Sequence, residues 1–239
     1  MCAIGRQDEV TGVTDKLLEQ ARRELAAVPP RPKVRDATFR DLFTPPYARR
    51  VVHTWLLWFC SNFAATGFSI WLPTIYSQYY HIELSRTLLY TFIVAGTQVV
   101  ARICAFGLID IMGRKTMIVI AYGVAGCAAL AFTQSVTETS LLVNAMVYAF
   151  FQDIGNLAMT VYTPEVYPVR IRGKGAAIAM GWGRFGGMIS PIVAGVLIGS
   201  GSLILVWGMI GAMQFLASGL TLALAYETRG NLETVSRAV

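Results

Sequence analysis

The sequence predicts an all-α membrane protein built as a bundle of six transmembrane helices. Only 14% of the 239 residues are charged, against about a quarter in a typical soluble domain. Half of these charges, 17 of 34, lie in residues 1–50. The stretches 51–82 and 185–226 contain no charged residue, and apolar runs beyond roughly 18 residues are typical of membrane-spanning helices. These observations exclude a soluble enzyme, a disordered chain and a disulfide-rich secreted domain.

Each predicted span has about 19–26 residues, which is enough to cross a bilayer with a modest tilt. The approximate bounds are Val51–Tyr76, Thr87–Ile109, Thr116–Gln134, Ser140–Tyr162, Gly175–Gly199 and Ser202–Tyr226. The short Gly-Ser turn at residues 199–202 makes the last two helices antiparallel. Span five is rich in glycine and contains Pro191, which predicts close packing on a neighbouring helix, bending, or both.

Lys and Arg are distributed unevenly between the two sides of the predicted bundle. Seventeen lie in the N-terminal segment, the loops after spans two and four, and the tail, whereas the three opposite loops contain only Arg86. Because Lys and Arg resist translocation, both termini are predicted to be cytoplasmic, in a multi-pass protein of the plasma (inner) membrane. The predicted domains are a cytoplasmic linker with one amphipathic helix (1–50), the six-helix bundle (51–226) and a cytoplasmic tail (227–239).

Three ionisable residues lie well inside the predicted spans, namely Arg102, Asp153 and Arg184. A charge at the bilayer centre costs a few kcal/mol, so these side chains should face the bundle interior or an aqueous cavity. In one interpretation the arginines attract an anionic solute and Asp153 carries a coupling proton. In the other, Asp153 neutralises one arginine as a static buried pair. Arg102 lies only ~12 Å from the cytoplasmic end of its span and could also extend toward the surface.

Gln152 and Asn156 share about one face of span four with Asp153. This face is the best candidate for a surface that contacts a substrate, although amides inside membranes more often bond to a neighbouring helix. Neither histidine, His53 or His81, has a partner at metal-ligand spacing, so no metal or cofactor is predicted. The basic residues flank apolar runs instead of forming a stripe, so nucleic acid is not a predicted partner.

Four segments resemble motifs of the major facilitator superfamily. Residues 106–115 (FGLIDIMGRK) resemble its Asp-Arg-x-Gly-Arg-Arg loop, and residues 164–175 (PEVYPVRIRGKG) resemble its Pro-Glu-x-Tyr-Pro-x-x-x-Arg-Gly-x-Gly segment. The stretch 183–191 and the tail ETRGNLE at 227–233 are similar to segments of the sugar-porter-like and metabolite:proton symporter branches. Residues 5–9 resemble the Gly-Arg-x-x-Glu stretch after helix six. Ile111 replaces the first arginine of the loop motif, and the tail is one residue shorter than the pattern.

This resemblance implies that the chain corresponds to helices seven to twelve, one half of a major facilitator fold. The implied partners are the lipid bilayer, a small-molecule substrate with protons, and an N-terminal six-helix half or a second copy. The resemblance also implies a cytoplasmic latch that holds the two halves together, formed by Asp110, Gly113, Arg114, Glu165 and Arg172. The alternative is that these charges form only weak exposed pairs, worth ~0–1 kcal/mol each.

The sequence therefore predicts secondary transport of a small organic metabolite by alternating access, with proton coupling. Two arginines against one aspartate inside the spans favour an organic or aromatic acid anion as the solute. The alternatives are a neutral sugar or a cation, because the other half of the fold supplies about half of the site. The alternative function is that of a six-helix membrane interaction or regulatory protein that does not transport. No constellation of catalytic side chains is found at membrane depth, so the protein is predicted not to be an enzyme.

Overall fold

The structure, a computed structural model, describes residues 18–20, 43, 47–169 and 171–225. The described part contains six long helices and no β-strand, which confirms the predicted all-α bundle. Their bounds are α1 (Tyr47–Gln78), α2 (Leu84–Met112), α3 (Arg114–Ala131), α4 (Glu138–Val166), α5 (Arg172–Gly199) and α6 (Leu203–Leu224). A 3-10 turn at Phe132–Gln134 extends α3 to the end of its predicted span.

The chain divides into two compact units, Met1–Asp36 and Ala37–Val239, and the helices α1 to α6 all belong to the second unit. The predicted tail 227–239 and most of the predicted linker 1–50 lie outside the described residues. Of the predicted amphipathic helix only residues 18–20 are described, and they are helical. Arg170 is likewise outside the described part.

Four of the described helices are long and apolar enough to cross a membrane, namely α2, α3 with its 3-10 turn, α5 and α6. The helices α1 and α4 are as long, at 32 and 29 residues, but contain more polar side chains. These side chains include His53, Thr54 and Ser61 in α1 and Gln152 and Asp153 in α4, and all five are buried. The two more polar helices thus turn their polar groups toward the rest of the bundle.

Helix α1 packs chiefly against α5 and α6, helix α3 against α4 and α6, and helix α2 against α4. Aromatic rings fill one part of the interior. Phe132 stacks on Trp207 with 4.1 Å between the ring centres, and the ring centres of Phe68 and Tyr148 are 4.2 Å apart. Helix α2 buries only a narrow stripe of residues, Thr87, Val94, Ala101, Ala105 and Ile109. Most of its remaining surface is therefore not covered by this chain.

The glycines of α5 allow its backbone to approach α1 closely, as the sequence predicts. A Cβ added to Gly186 would collide with the backbone oxygen of Phe59, and one added to Gly183 would lie 2.8 Å from the Asn62 amide nitrogen. Gly181 has open space at the same position. The close approach thus depends on the glycines that face α1, as in other membrane helix pairs.

Candidate functional site

Arg102 on α2 and Asp153 on α4 form an ion pair between the two helices. The guanidinium donates from Nε to Oδ2 and from Nη2 to Oδ1, each at 3.1 Å. This bidentate geometry is the strongest that arginine and a carboxylate form. The Asp153 side chain is 6% exposed, whereas that of Arg102 is 60% exposed. The buried Asp153 carboxylate is thus bound to an Arg102 side chain that is largely exposed.

The pairing bears on the two interpretations that the sequence leaves open. Asp153 neutralises Arg102, as the static-pair interpretation requires, and Arg102 does not extend away from Asp153 toward a helix end. A bidentate pair uses two of the five N–H donors of the guanidinium, so donors remain for another acceptor. That Asp153 carries a coupling proton stays a prediction.

Arg184 lies on an exposed face of α5 and has no ion-pair partner among the described residues. Its neighbour Gly183 packs against Trp58 and Asn62 of α1. Gln152, next to Asp153, donates to Ser61 of α1. Since Ser61 and Asn62 are adjacent, Arg184 and the Arg102–Asp153 pair lie at about the same level along the bundle. This level is roughly 21 Å, or fourteen residues, from the start of α1.

The two amides predicted beside Asp153 differ in their surroundings. Gln152 is 4% exposed and donates from Nε2 to both the backbone oxygen and the hydroxyl of Ser61, each at 3.3 Å. Asn156 is half-buried. Gln152 therefore points into the packed interior of this chain, not toward a surface that a solute could reach, while Asn156 stays a candidate for such a surface.

A buried hydrogen-bond network surrounds Gln152 and joins four helices. Gln214 on α6 donates from Nε2 to Gln152 Oε1 and to the Tyr148 hydroxyl, the latter at 3.1 Å. Ser61 and the Tyr122 hydroxyl of α3 are 2.8 Å apart. The sequence predicts a role for Gln152, but it does not single out Ser61, Tyr122 or Tyr148 as members of this network. A serine or tyrosine inside an apolar run carries no signal of its hydrogen-bond partner.

The α2–α3 and α4–α5 connections lie at one end of the bundle, here termed the inner end. At this end Arg114, the first residue of α3, contacts two carboxylates that the sequence assigned to a latch. Its Nη1 lies 3.6 Å from Asp110 Oδ1, and its Nε lies 3.4 Å from Glu165 Oε1. Asp110 is 79% exposed, whereas Arg114 and Glu165 are about 20% exposed. The shielded Arg114–Glu165 contact is consequently the stronger of the two, because water screens exposed pairs.

Two further latch candidates shape the connections. Gly113 between α2 and α3 has φ 82° and ψ 152°, a backbone conformation that is essentially restricted to glycine. Arg172, the first residue of α5, donates from Nε to the backbone oxygen of Tyr167 at 3.4 Å. The Tyr167 hydroxyl in turn bonds to Thr54 of α1, and burial raises the pKa of this phenol while the hydrogen bond to Thr54 opposes that rise. At the inner end, the hydrogen bond between the neutral hydroxyls of Thr54 and Tyr167 therefore connects α1 with the α4–α5 loop, in addition to the charged contacts of Arg114.

Two arginines that immediately precede the first predicted span, Arg49 and Arg50, act as caps for other helices. Arg49 donates to the backbone oxygen of Ala223 in the last turn of α6, at 3.2 Å, and Arg50 to that of Val166 at the end of α4, at 3.3 Å. Positive groups are favourable at helix C-termini because the unpaired carbonyls there carry partial negative charge.

Among the described residues no group of three His, Cys, Asp or Glu could hold a metal ion.

Comparison with known proteins shows the family of the chain. Residues 5–236 match the family model described as "Sugar (and other) transporter", which is nearly the whole chain. The protein belongs to this family of the major facilitator superfamily. Membership, together with the apolar helices, makes the chain an integral membrane protein of a transporter family.

The relatives of this chain include transporters whose names give a solute. A niacin transporter of Acinetobacter baylyi is 32% identical over 197 residues, covering 79% of this chain and 44% of the relative. A gallate transporter of Pseudomonas putida is 28% identical, with 78% and 42% covered. An inner membrane metabolite transport protein of Escherichia coli is 26% identical, with 85% and 45% covered. The chain thus spans less than half the length of these curated relatives.

Proposed function

We propose that this chain forms the C-terminal half of a secondary transporter that moves a small organic acid anion together with a proton. The observation that carries the proposal is the Arg102–Asp153 pair, a buried carboxylate bound to a largely uncovered arginine near the middle of α2 and α4. A lipid-facing charge at this depth is costly, so an uncovered arginine there should face a partner half or an aqueous cavity.

The excess of positive charge at this level supports an anionic solute. Arg102 and Arg184 provide two guanidinium groups, and Asp153 provides one carboxylate. Arginine binds carboxylates in a bidentate manner and is always charged, which suits it to this recognition. Two of the relatives are named for niacin and gallate, and both compounds are carboxylic acids on an aromatic ring. An aromatic monocarboxylate is therefore the first solute to test.

Proton coupling follows from the competition of two carboxylates for one arginine. While Asp153 is ionised, Arg102 is engaged by it, and the pair is neutral. A proton on Asp153 weakens this pairing and frees the Arg102 donors for the carboxylate of the solute. Anion and proton thus enter together, and their release into the cell restores the pair. Each cycle moves one negative and one positive charge, which avoids an uncompensated charge in the membrane.

Alternating access requires a contact that holds in one conformation and breaks in the other. The inner cluster of Asp110, Arg114 and Glu165 supplies charged groups for such a latch between this chain and an N-terminal half. We place the inner end and both termini on the cytoplasmic side of the plasma (inner) membrane. Positive residues are concentrated in the segments on that side.

The test is uptake by a joined transporter, in which this chain follows the N-terminal half of the Acinetobacter baylyi relative. Proteoliposomes that contain it are expected to accumulate radiolabelled nicotinate or benzoate when the outside is acidified. Arg184→Ala should abolish uptake without changing membrane insertion, because one of the two guanidinium groups that attract the solute anion is lost. Arg184→Lys should retain part of it, since the charge stays but the fork is lost.

Vesicles with the 239-residue chain alone are the matched control and should not exceed empty liposomes. Uptake by this chain alone would contradict its assignment as one half. A well-folded joined transporter that takes up neither carboxylate, or full uptake in Arg184→Ala, would contradict the proposed solute class.

A further inference from the structure

We propose that Gln152 is a positioning residue that sets the rotation of α4 about its own axis and thereby keeps Asp153 opposite Arg102. This inference rests on the proposed function, because it assigns Gln152 a role in the coupling pair. It gives the amide a task different from contact with the solute.

Gln152 is tied to the bundle on two sides. Its Nε2 donates to Ser61 on α1, and its Oε1 accepts from Gln214 on α6. Ser61 is itself bonded to the Tyr122 hydroxyl of α3. One side chain of α4 is thus connected to three other helices, and neither end of the amide can shift without breaking a buried hydrogen bond.

The residue one turn along the same face restricts α4 further. A Cβ on Gly155 would collide with the ring of Tyr122, so backbone and ring are in direct contact. Gln152 and Gly155 are three residues apart and lie on one side of the helix. This side of α4 is therefore fixed by both hydrogen bonds and close packing.

Asp153 follows Gln152 in sequence, and consecutive residues of an α-helix point about 100° apart. Fixing Gln152 toward α1 and α6 therefore directs Asp153 toward α2, where Arg102 lies. A carboxyl group is roughly 6 Å from the helix axis, so a rotation of about 20° would move it by about 2 Å. A shift of that size takes both 3.1 Å bonds to Arg102 beyond hydrogen-bond distance.

The chemistry of the amide suits this task. Gln152 uses its donor toward Ser61 and its acceptor toward Gln214, and an amide of this length offers both. A leucine of similar size would fill the space but make neither bond, so the Ser61 hydroxyl would keep only its bond to Tyr122 and one buried N–H of Gln214 would lose its acceptor. Gln152 is also buried at 4% exposure, so a solute would have to displace α1 to reach it.

Thiol cross-linking in the full 239-residue chain tests the inference without any transport measurement. The reporter has Arg102→Cys and Asp153→Cys in a background with Cys2, Cys60, Cys104 and Cys127 replaced by Ala. A short bifunctional thiol reagent should join the two positions readily in membranes. Gln152→Leu should slow the cross-linking about fivefold to tenfold, the factor that the loss of about one net hydrogen bond gives. Gln214→Leu acts on the same amide from α6 and should slow it as well.

Asn156→Leu is the matched control, because it also replaces an amide of α4, one turn further along, and should leave the rate unchanged. Only variants that elute as a single species by size exclusion are compared, and Ser61→Ala serves as the milder change if Gln152→Leu does not fold. An unchanged rate in the variants at positions 61, 152 and 214 would overturn the positioning role. That result would leave the uptake prediction intact, since the reporter lacks both charges.

Discussion

Arg102 and Asp153 are bound to each other by two hydrogen bonds, yet their side chains differ tenfold in exposure, at 60% and 6%. A substitution of Arg102 should therefore have a different effect from a substitution of Asp153. If Arg102 is removed, a charged carboxylate is left in the interior, whereas if Asp153 is neutralised, the guanidinium can turn toward its uncovered side. This asymmetry leads to two predictions about the pair, one on stability and one on transport.

The first prediction concerns the stability of the chain. Arg102→Ala should lower the free energy of unfolding by about 1–3 kcal/mol, because it leaves the buried Asp153 carboxylate without its partner. The loss is smaller than for a fully buried pair, since water partly screens Arg102. Asp153→Asn should cost less. The double variant Arg102→Ala with Asp153→Asn should be more stable than Arg102→Ala alone. Thermal unfolding of the purified chain in detergent measures all four proteins, and additive losses would argue against a coupled pair.

The second prediction concerns the pH dependence of uptake by the joined transporter. Uptake of the anion should rise as the outside pH falls, because the proton is a co-substrate. In Asp153→Asn the side chain cannot take up a proton, so uptake should no longer depend on pH. Glu138→Gln, which alters an exposed carboxylate on the same helix, should keep the dependence of the unmodified protein. A pH dependence that persists in Asp153→Asn would assign Asp153 to structure alone.

The third prediction concerns the contact between α1 and α5. In Gly186→Ala the added Cβ meets the backbone oxygen of Phe59, and backbone cannot swing aside as a side chain can. We expect a loss of about 1–3 kcal/mol in the free energy of unfolding. Gly181→Ala is the matched control on the same helix, because open space surrounds that position, and it should be neutral or stabilising by up to about 1 kcal/mol. Equal melting temperatures for the two variants would refute the close approach.

The fourth prediction concerns the inner cluster. Glu165→Gln removes the shielded contact with Arg114 and should cost about 1–3 kcal/mol, between the values for exposed and buried pairs. Asp110→Asn alters the exposed member of the cluster and should change stability by less than about 0.5 kcal/mol. In the joined transporter, Glu165→Gln should also increase the labelling of a cysteine introduced at the inner end, since a latch is weakened. No change in labelling would restrict the cluster to a role within this half.

Much of the fold could be predicted from the sequence, because it depends on properties that are local along the chain. Apolar runs long enough to span a membrane predict helices, and the glycines in span five predict close packing on a neighbouring helix, which the structure identifies as α1. The surroundings of individual polar residues could not be predicted in the same way. Gln152 and Asp153 are adjacent and are predicted to share about one face of span four, yet one is directed into the bundle and the other toward α2.

By itself, then, the sequence determined that this is an all-α membrane protein with charges at three positions inside its helices. Only the tertiary structure decided that Asp153 pairs with Arg102 and leaves Arg184 exposed. The physical reason is that hydropathy is a sum over neighbouring residues, whereas an ion pair joins positions 51 residues apart. Which arginine lies within reach of Asp153 depends on how each helix is rotated, and packing and buried hydrogen bonds between helices set that rotation.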